Sequence, residues 1–445
     1  MDNGFGDGVT GLVFDENRGI MQPTAGAGRL RGELTAALLA KGSITDPRIE
    51  AAFRAVPRHL FAPPGTALEA AYADDVIRTK FDLSGTCLSS VSAPWLQAVM
   101  IRQAGIRPGM RILEVGSGGY NAALLAEVTG SGGHVVTIDI DPGITAHAAS
   151  ALDTAGYADR VTVITGDAEH PVTGHGPFDA ILVTAGAWDI APAWIHQLDS
   201  HGTLVVPLRM NGNTRSIAFQ VDGSHLASRS AEVCGFVPMQ GTGARLAQLI
   251  TLQPPGGGQV LLQFEDAAPA HAILDDGIAN ASPLITWSGV TVANATPFDD
   301  LYLWLGGQAP GFCKTTTAPD SRLPGDPERP GRRYPVAILH DGSLACLVTR
   351  RLPDGDHEYG AHAYGPHAEE AAAELIGHVR SWDRHRRNLA ADAFAYYPAG
   401  MTALSAGDRT VSAFRRRHGT LTVTWPRAQR PQEPPDKAGR FEEAG

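Results

Sequence analysis

The sequence predicts an α/β protein, with a doubly wound, Rossmann-like parallel sheet in its first half and an additional α+β domain in its second. Three observations predict it. The stretch Arg111–Asn121, RILEVGSGGYN, is a short apolar β-type run that ends in Gly116, Ser117, Gly118 and Gly119 and feeds the helix-forming run AALLAEVTG. Strand, glycine turn and helix in that order let a ligand approach the backbone closely. Strand-like and helix-like runs then alternate from Met110 to about Val206, the pattern of a parallel sheet with ligands at the carboxyl ends of its strands. Beyond about residue 245 the texture changes. A chain of 445 residues exceeds the size at which single cores stop growing, so a division into two domains is natural.

Taken in order, residues 1–27 are glycine-rich and read as a flexible lead-in. Arg29–Lys41 and Ile44–Arg58 have helical spacing, the second marked by Thr45 or Asp46 with Pro47 in its first turn. A long segment from VPRHLFAP through AYADD to SSVSAPWLQAVM enters a helix at Ala93–Pro94. The strands of the alternating part are Arg111–Val115, His134–Ile138, Val161–Thr165, Ala180–Thr184 and Gly202–Pro207, with helices at Ala122–Thr129, Gly143–Ala155 and Ala193–Leu198. Thr214–Val221 and a return around Glu232–Val237 add antiparallel strands, which sets the first domain at 28–245.

The α+β domain is expected at 246–426, with strand runs QLITL and QVLLQF, a helix in Pro297–Leu305 and an exposed loop at Ala318–Arg333. Val336–Leu339 and Ser343–Thr349 form a hairpin around Asp341–Gly342, and Glu358–Tyr364 extends it. Pro366–Trp382 is a helix with Ala372, Leu375, Ile376 and Val379 at core spacing, and Thr420–Trp425 is a last strand. The charged, proline-containing residues 427–445 read as a disordered tail.

Composition narrows the function. Hydrophobic residues at 43% and charged residues at 19% suit a globular protein with a real core. A formal net charge of −11 argues against a general binder of nucleic acid or anionic membranes. Cys87, Cys234, Cys313 and Cys346 stand far apart with no CxxC, as expected of reduced thiols in a cytoplasmic protein. The N-terminus has neither a basic n-region nor an apolar h-region, and no long apolar run is present, so neither a signal peptide nor a membrane span is expected. No residues have convincing metal-ligand spacing.

The chemistry-bearing residues sit where strands should end. Asp139 lies roughly twenty residues beyond the glycine turn, the spacing of an acid that grips ribose hydroxyls. Asp167–Ala168 follows the third strand, where a carboxylate accepts from an adenine amino group; a helix cap or turn is the plainer role for Asp167. The turn by itself fits any Rossmann-like sheet. With Glu114 before the glycines, however, it resembles the S-adenosylmethionine (SAM) loop of class I methyltransferases more than a nicotinamide loop. SAM is therefore the expected cofactor, held by Glu114, Gly116, Ser117, Gly118, Gly119, Asp139, Asp167 and Ala168. Methyl transfer then needs little beyond aligning a nucleophile with the sulfonium carbon.

VPRHLFAP, AYADD, SxxSAP, EVGSGGYNAALLA, TIDID, TGDAEH and PFDAILVTAGA occur in this order, followed by APAWIHQLDSHGTLVVPL. Together they resemble the protein L-isoaspartyl O-methyltransferase family over roughly residues 30–240. The long form is similar to actinobacterial methyltransferases associated with ribosomally made, modified peptides, the lanthipeptide and imide-forming FxLD-type systems. That resemblance implies esterification of an aspartate in a macrocyclised or otherwise constrained precursor peptide, after which the neighbouring amide displaces methanol to give an aspartimide. It also implies that Ser92 lies beside the acceptor carboxylate, with Ser90 matching the family threonine or serine two residues earlier; an N-cap at Ala93–Pro94 is the plainer role for Ser92.

The chain departs from the family between AYADD and the serine motif. VIRTKFDLSGTCLS replaces the usual short proline- and glycine-bearing loop, so repair of damaged isoaspartyl proteins becomes the alternative rather than the leading reading. Arg78 and Lys80 in that segment are candidate grips for an acidic substrate, or solvated charges. The scattered histidines and the basic clusters Arg384–Arg387 and Arg415–His418 carry no catalytic signature. The C-terminal half is left to substrate recognition or homo-oligomerisation, and a noncatalytic peptide-binding scaffold is the reading from another class.

Overall fold

The structure, a computed structural model, describes residues 25–83, 85–116, 118–252, 259–266, 278, 282–294, 296–317, 335–385, 393–402 and 407–427. Nearly all of the expected lead-in and tail, the expected loop at Ala318–Arg333, and Ser117 lie outside the described residues. The chain divides into two compact units, Met1–Gly166 and Asp167–Gly445.

In the first unit, α1 (Ala25–Ala40), α2 (Pro47–Ala55) and α3 (Leu68–Ala71) precede a two-stranded antiparallel hairpin, β1 (Ile77–Phe81) with β2 (Cys87–Val91). Asp46 caps α2 by accepting the Arg48 N–H at 2.8 Å, and Pro47 fills the first helical position. The hairpin occupies the VIRTKFDLSGTCLS segment, whose strands are too short and polar to stand out by alternation. Next come α4 (Pro94–Ala104), β3 (Arg111–Val115), α5 (Tyr120–Thr129), β4 (His134–Asp139), α6 (Pro142–Thr154) and β5 (Val161–Thr165). Strands β3, β4 and β5 pair in parallel, Ile112 opposite Val135 and Val136 opposite Thr162. Ile112, Leu113 and Val115 of β3 and Val135, Val136 and Ile138 of β4 are buried, as strands covered on both faces require, whereas the centre of β5 is half-buried.

The second unit opens with β6 (Phe178–Val183), α7 (Pro192–Gln197) and β7 (Leu198–Met210); β6 and β7 are parallel. Strand β8 (Asn213–Asp222) returns antiparallel to β7, and β9 (His225–Val233) to β8. The return expected around Glu232–Val237 thus starts several residues earlier, directly after the Gly223 turn at φ +60°.

Then follow β10 (Gln248–Leu252), β11 (Val260–Phe264), β12 (Leu284–Val292), α8 (Asp299–Gln308), β13 (Phe312–Thr317), β14 (Val336–His340), β15 (Ser343–Arg351), β16 (His357–Tyr364) and α9 (Ala368–His385). The last strands are β17 (Phe394–Pro398), β18 (Val411–Arg415) and β19 (Gly419–Thr424). Among the described residues, seven strands form an antiparallel sheet in the order β10-β11-β13-β14-β15-β16-β12. The β14–β15 hairpin turns at Asp341 and Gly342, both at positive φ, as the sequence predicts. Strand β17 pairs with β9 and β19 with β17, so the last segment of the chain pairs with a strand that the sequence places before residue 245.

Helix α9 lies on this sheet through Ala371, Ala372, Leu375, Ile376, Val379 and Trp382, all buried. Trp382 meets Tyr359 of β16 edge to face at 6.0 Å. Cys87, Cys234, Cys313 and Cys346 are all free thiols, the last two buried. Among the described residues no helix is long and apolar enough to cross a membrane. Because Leu375 is fully buried, Leu375→Ala should lower stability by about 3 kcal/mol, read as a shifted urea midpoint; an unchanged midpoint would contradict this account of the α9 interface.

Candidate active site

One buried cation organises the segment before the glycine turn. Arg58 has no solvent exposure, and burial pulls its guanidinium below its usual pKa. It donates to the Ala71 carbonyl at 2.8 Å, the Asp75 carbonyl at 2.9 Å, the Ser92 carbonyl at 3.0 Å and Gln97 Oε1 at 3.3 Å. Its guanidinium also lies 5.0 Å from the ring centre of Tyr120, the first residue of α5. VPRHLF, AYADD and SAPW are thereby tied to one side chain. Asp74 completes the tie: its carboxylate accepts the Trp95 N–H at 2.9 Å and pairs with Lys41 at 2.6 Å.

The helix-cap role considered for Ser92 does not hold. The cap of α4 is Ala93, which has no side-chain bond, and Asp74 supplies the capping carboxylate from twenty-one residues away. Ser92 is partly exposed, with its carbonyl fixed by Arg58. Ser90 stands in β2 opposite Arg78 of β1.

The glycine turn closes against this segment. Gly116 is at φ +100° and donates to the Ile138 carbonyl at 2.8 Å, which joins the ends of β3 and β4. A Cβ on Gly118 would lie 3.8 Å from the Ser90 carbonyl. At Gly119, φ +80°, it would meet Phe61 at 3.0 Å and the Ala148 Cα at 3.3 Å, so backbone angle and space both demand glycine. Below the turn Glu114 is buried, with Oε1 accepting from Asn121 Nδ2 at 2.8 Å and Oε2 from Thr137 Oγ1 at 2.6 Å. Burial pushes this carboxyl up to about 7 against the pull of those bonds, and the Asp139 charge adds to the rise. Glu114 is placed to brace the turn from beneath.

A cavity of about 240 Å³ sits over the turn, lined by Phe61, Lys80, Ser89, Val91, Gly118 and Asp141 among others. Asp139, at the end of β4, accepts the Asp141 N–H at 2.9 Å. Asp141 also caps α6 through the Gly143 and Ile144 N–H groups and pairs with Lys80. The Lys80 bond and those backbone bonds hold the Asp141 carboxyl below the usual range despite some burial. Lys80 is therefore engaged across the cavity wall, whereas Arg78 is exposed on the hairpin. Ser89 and Val91, rather than Ser90 and Ser92, line this cavity.

Asp167 and Ala168 belong to the second unit. Asp167 accepts the Glu169 N–H at 3.0 Å and the Thr242 N–H at 2.8 Å, and Ala168 offers its carbonyl to Trp194 Nε1 at 2.8 Å. Burial raises the Asp167 carboxyl, but the backbone bonds from Thr242 and Glu169 outweigh it and leave the group below its usual value. Among the described residues no cluster of His, Cys, Asp or Glu could hold a metal ion.

Sequence reasoning missed Arg58, Asp74 and Asn121. The signal for Arg58 was present: an arginine between apolar residues in VPRHLF has either solvent or many acceptors, and only the fold decides which.

A family model described as protein-L-isoaspartate(D-aspartate) O-methyltransferase matches residues 30–244. The protein-L-isoaspartate O-methyltransferase of Hyperthermus butylicus is 37% identical over 221 residues, covering 47% of this chain and 88% of its own length. That of Methanococcoides burtonii is 35% identical over 202 residues, covering 45% of this chain and 96% of its own. A solved protein-L-isoaspartate O-methyltransferase aligns with 82% of this chain and 95% of its own, at 18% identity and a TM-score of 0.46.

The raised carboxyl of Glu114 has a stability signature. Its folded pKa of about 7 exceeds the ordinary 4.5, so the native state holds the proton more tightly. Stability should fall as pH rises from about 4.5 to about 7, by roughly 3 kcal/mol relative to Glu114→Gln. Urea unfolding of both proteins across that window checks it; parallel curves would contradict it.

Proposed function

The chain belongs to the protein-L-isoaspartate O-methyltransferase family, and from that premise we propose that it esterifies the side-chain carboxylate of an isoaspartyl residue in a polypeptide. It is a SAM-dependent protein carboxyl O-methyltransferase of the class I fold. The observation that carries the reading is the approach of Gly118 to the Ser90 carbonyl, which sets the glycine turn beside the serine-bearing strand.

The residues present fit SAM. Gly119 stands where a Cβ would crowd the turn and Gly116 holds a positive φ, and Asp139 carries a carboxylate at the end of β4, oriented by the Asp141 N–H. The backbone of Gly116, Gly118 and Gly119 would hold the donor, with Asp139 on its ribose hydroxyls; Glu114 keeps the turn in place through Asn121 and Thr137. Bound SAM supplies an electrophilic methyl group on a sulfonium.

The chain's own task is to align and desolvate the acceptor. The acceptor carboxylate is already the nucleophile, so the residues here would need to move no proton and would only hold one of its oxygens toward the donated methyl group. The Ser92 hydroxyl, on a segment fixed by Arg58, donates to the other carboxylate oxygen and sets its direction. Once the ester exists, the next backbone nitrogen attacks its carbonyl and loses its proton. Methoxide takes up a proton and leaves as methanol, giving a five-membered imide.

A second reading is supported by the hairpin Ile77–Val91, which replaces the short family loop and exposes Arg78. On it the acceptor is a normal aspartate in a ribosomally made precursor peptide, macrocyclised or otherwise constrained, and the imide is the product.

Two matched peptides, one isoaspartyl and one aspartyl, incubated with SAM and the purified chain and read by mass spectrometry, test these readings. A gain of CH₂ on the isoaspartyl peptide alone supports the first; a gain of CH₂, or a loss of water, on the aspartyl peptide supports the second. No change on either, with SAM bound, would contradict both. Ser92→Ala should lower kcat about a hundredfold while leaving the SAM Kd within about twofold. Equal loss of SAM binding would contradict the acceptor-side role.

A further inference from the structure

We propose that a cavity within the second unit docks an acidic segment of the polypeptide substrate. The proposal rests on the reading that the substrate is a polypeptide. The cavity measures about 500 Å³ and is bordered by the start of β8, the end of β9, β13 and α8.

Its charged lining is unevenly satisfied. Lys314 of β13 is half-buried, and burial, with the nearby Arg209 charge, pulls its ammonium below the usual value against the pull of Glu265. Arg209 and Glu265 already pair with each other at 2.7 Å, and among the described residues Lys314 has no ion pair. Gly212, at φ +84°, makes room for it: a Cβ there would collide with the Lys314 methylenes. Arg215 is 8% exposed. One of its terminal nitrogens donates to Asp300 at 2.7 Å, while its buried Nε–H has no partner. A buried donor without an acceptor is destabilising, and an incoming carboxylate on Lys314 and Arg215 would complete a charge-assisted pair.

The rest of the lining decides between a simple anion and a peptide. Asp299, in the first turn of α8, faces the same cavity. Its carboxylate can accept from backbone N–H groups, which a peptide carries and a small free anion lacks. Gln263, Tyr302 and Thr316 add a side-chain amide and two hydroxyls for a peptide main chain. One acidic side chain flanked by amides matches this arrangement; phosphate does not.

The test uses the full chain without SAM and a fluorescein-labelled peptide of alternating Asp and Gly, followed by fluorescence anisotropy. The Asp peptide should bind, with an affinity that falls as salt rises. Its Asn counterpart, and the Asp peptide with Lys314→Met, should bind at least about tenfold more weakly. Lys314→Arg keeps the charge and should retain binding, which separates loss of the ammonium from loss of packing. Equal binding of the Asp and Asn peptides, wild-type binding by Lys314→Met, or displacement by inorganic phosphate as effective as by unlabelled peptide would each overturn the proposal. SAM binding and methylation of a short isoaspartyl peptide by Lys314→Met should stay at the wild-type level. If the wild-type chain methylates nothing yet peptide binding still depends on Lys314, the docking site stands and the catalytic reading falls.

Discussion

The guanidinium of Arg58 is the point on which the first unit turns. A cation without solvent contact must place its donors on protein acceptors, and Arg58 spends them on the carbonyls of Ala71, Asp75 and Ser92 and on Gln97. None of these is a carboxylate. The arrangement is therefore directional: carbonyls far apart in sequence can satisfy one planar fork only if their segments hold fixed positions. The stack on Tyr120 carries the constraint to the first turn of α5, immediately after the glycines. Acceptor-side segment and donor-side turn are thus referred to the same side chain.

Glu114 performs the complementary task from below. Its two oxygens take Asn121 from α5 and Thr137 from β4, so the strand that delivers the glycine turn is tied to the helix that leaves it and to the neighbouring strand. The expectation that Glu114 belongs with the cofactor residues arose because it adjoins the glycines. Its burial and paired oxygens give it the geometry of a brace. Lys80 and Asp141 close the rim of the same cavity by pairing with each other, and Asp141 orients Asp139 through its own N–H. A rim of paired charges around an apolar floor suits a donor held by backbone and hydroxyl contacts.

Much of this was legible in the sequence where the signal is local. The glycine turn, the alternating β and α runs, the Asp341–Gly342 hairpin and the α9 periodicity depend on neighbours within a few residues, and each appears within a few positions of its expected place. Long-range partners left no such mark. Strands β13, β17 and β18 are short, and β18 carries Ser412 and Arg415 among its few apolar residues; only pairing with distant strands makes them strands. The capping of α4 by Asp74 replaced the nearer candidate Ser92 for the same reason, since a cap can come from any chain segment that reaches the helix end. Arg58 reads as one basic residue in an amphipathic run until its four acceptors converge. The cavity bordered by β8 and β13 joins residues about a hundred positions apart, beyond any spacing rule.

Arg58 holds the serine-bearing segment in register with the glycine turn. Amide hydrogen exchange on Arg58→Met, compared with the unaltered chain, tests this most directly. Protection should drop sharply across 71–75 and 91–97 while β3, β4 and β5 keep theirs. Unchanged protection in the serine-bearing segment would mean that other contacts hold it, and the central claim would be wrong.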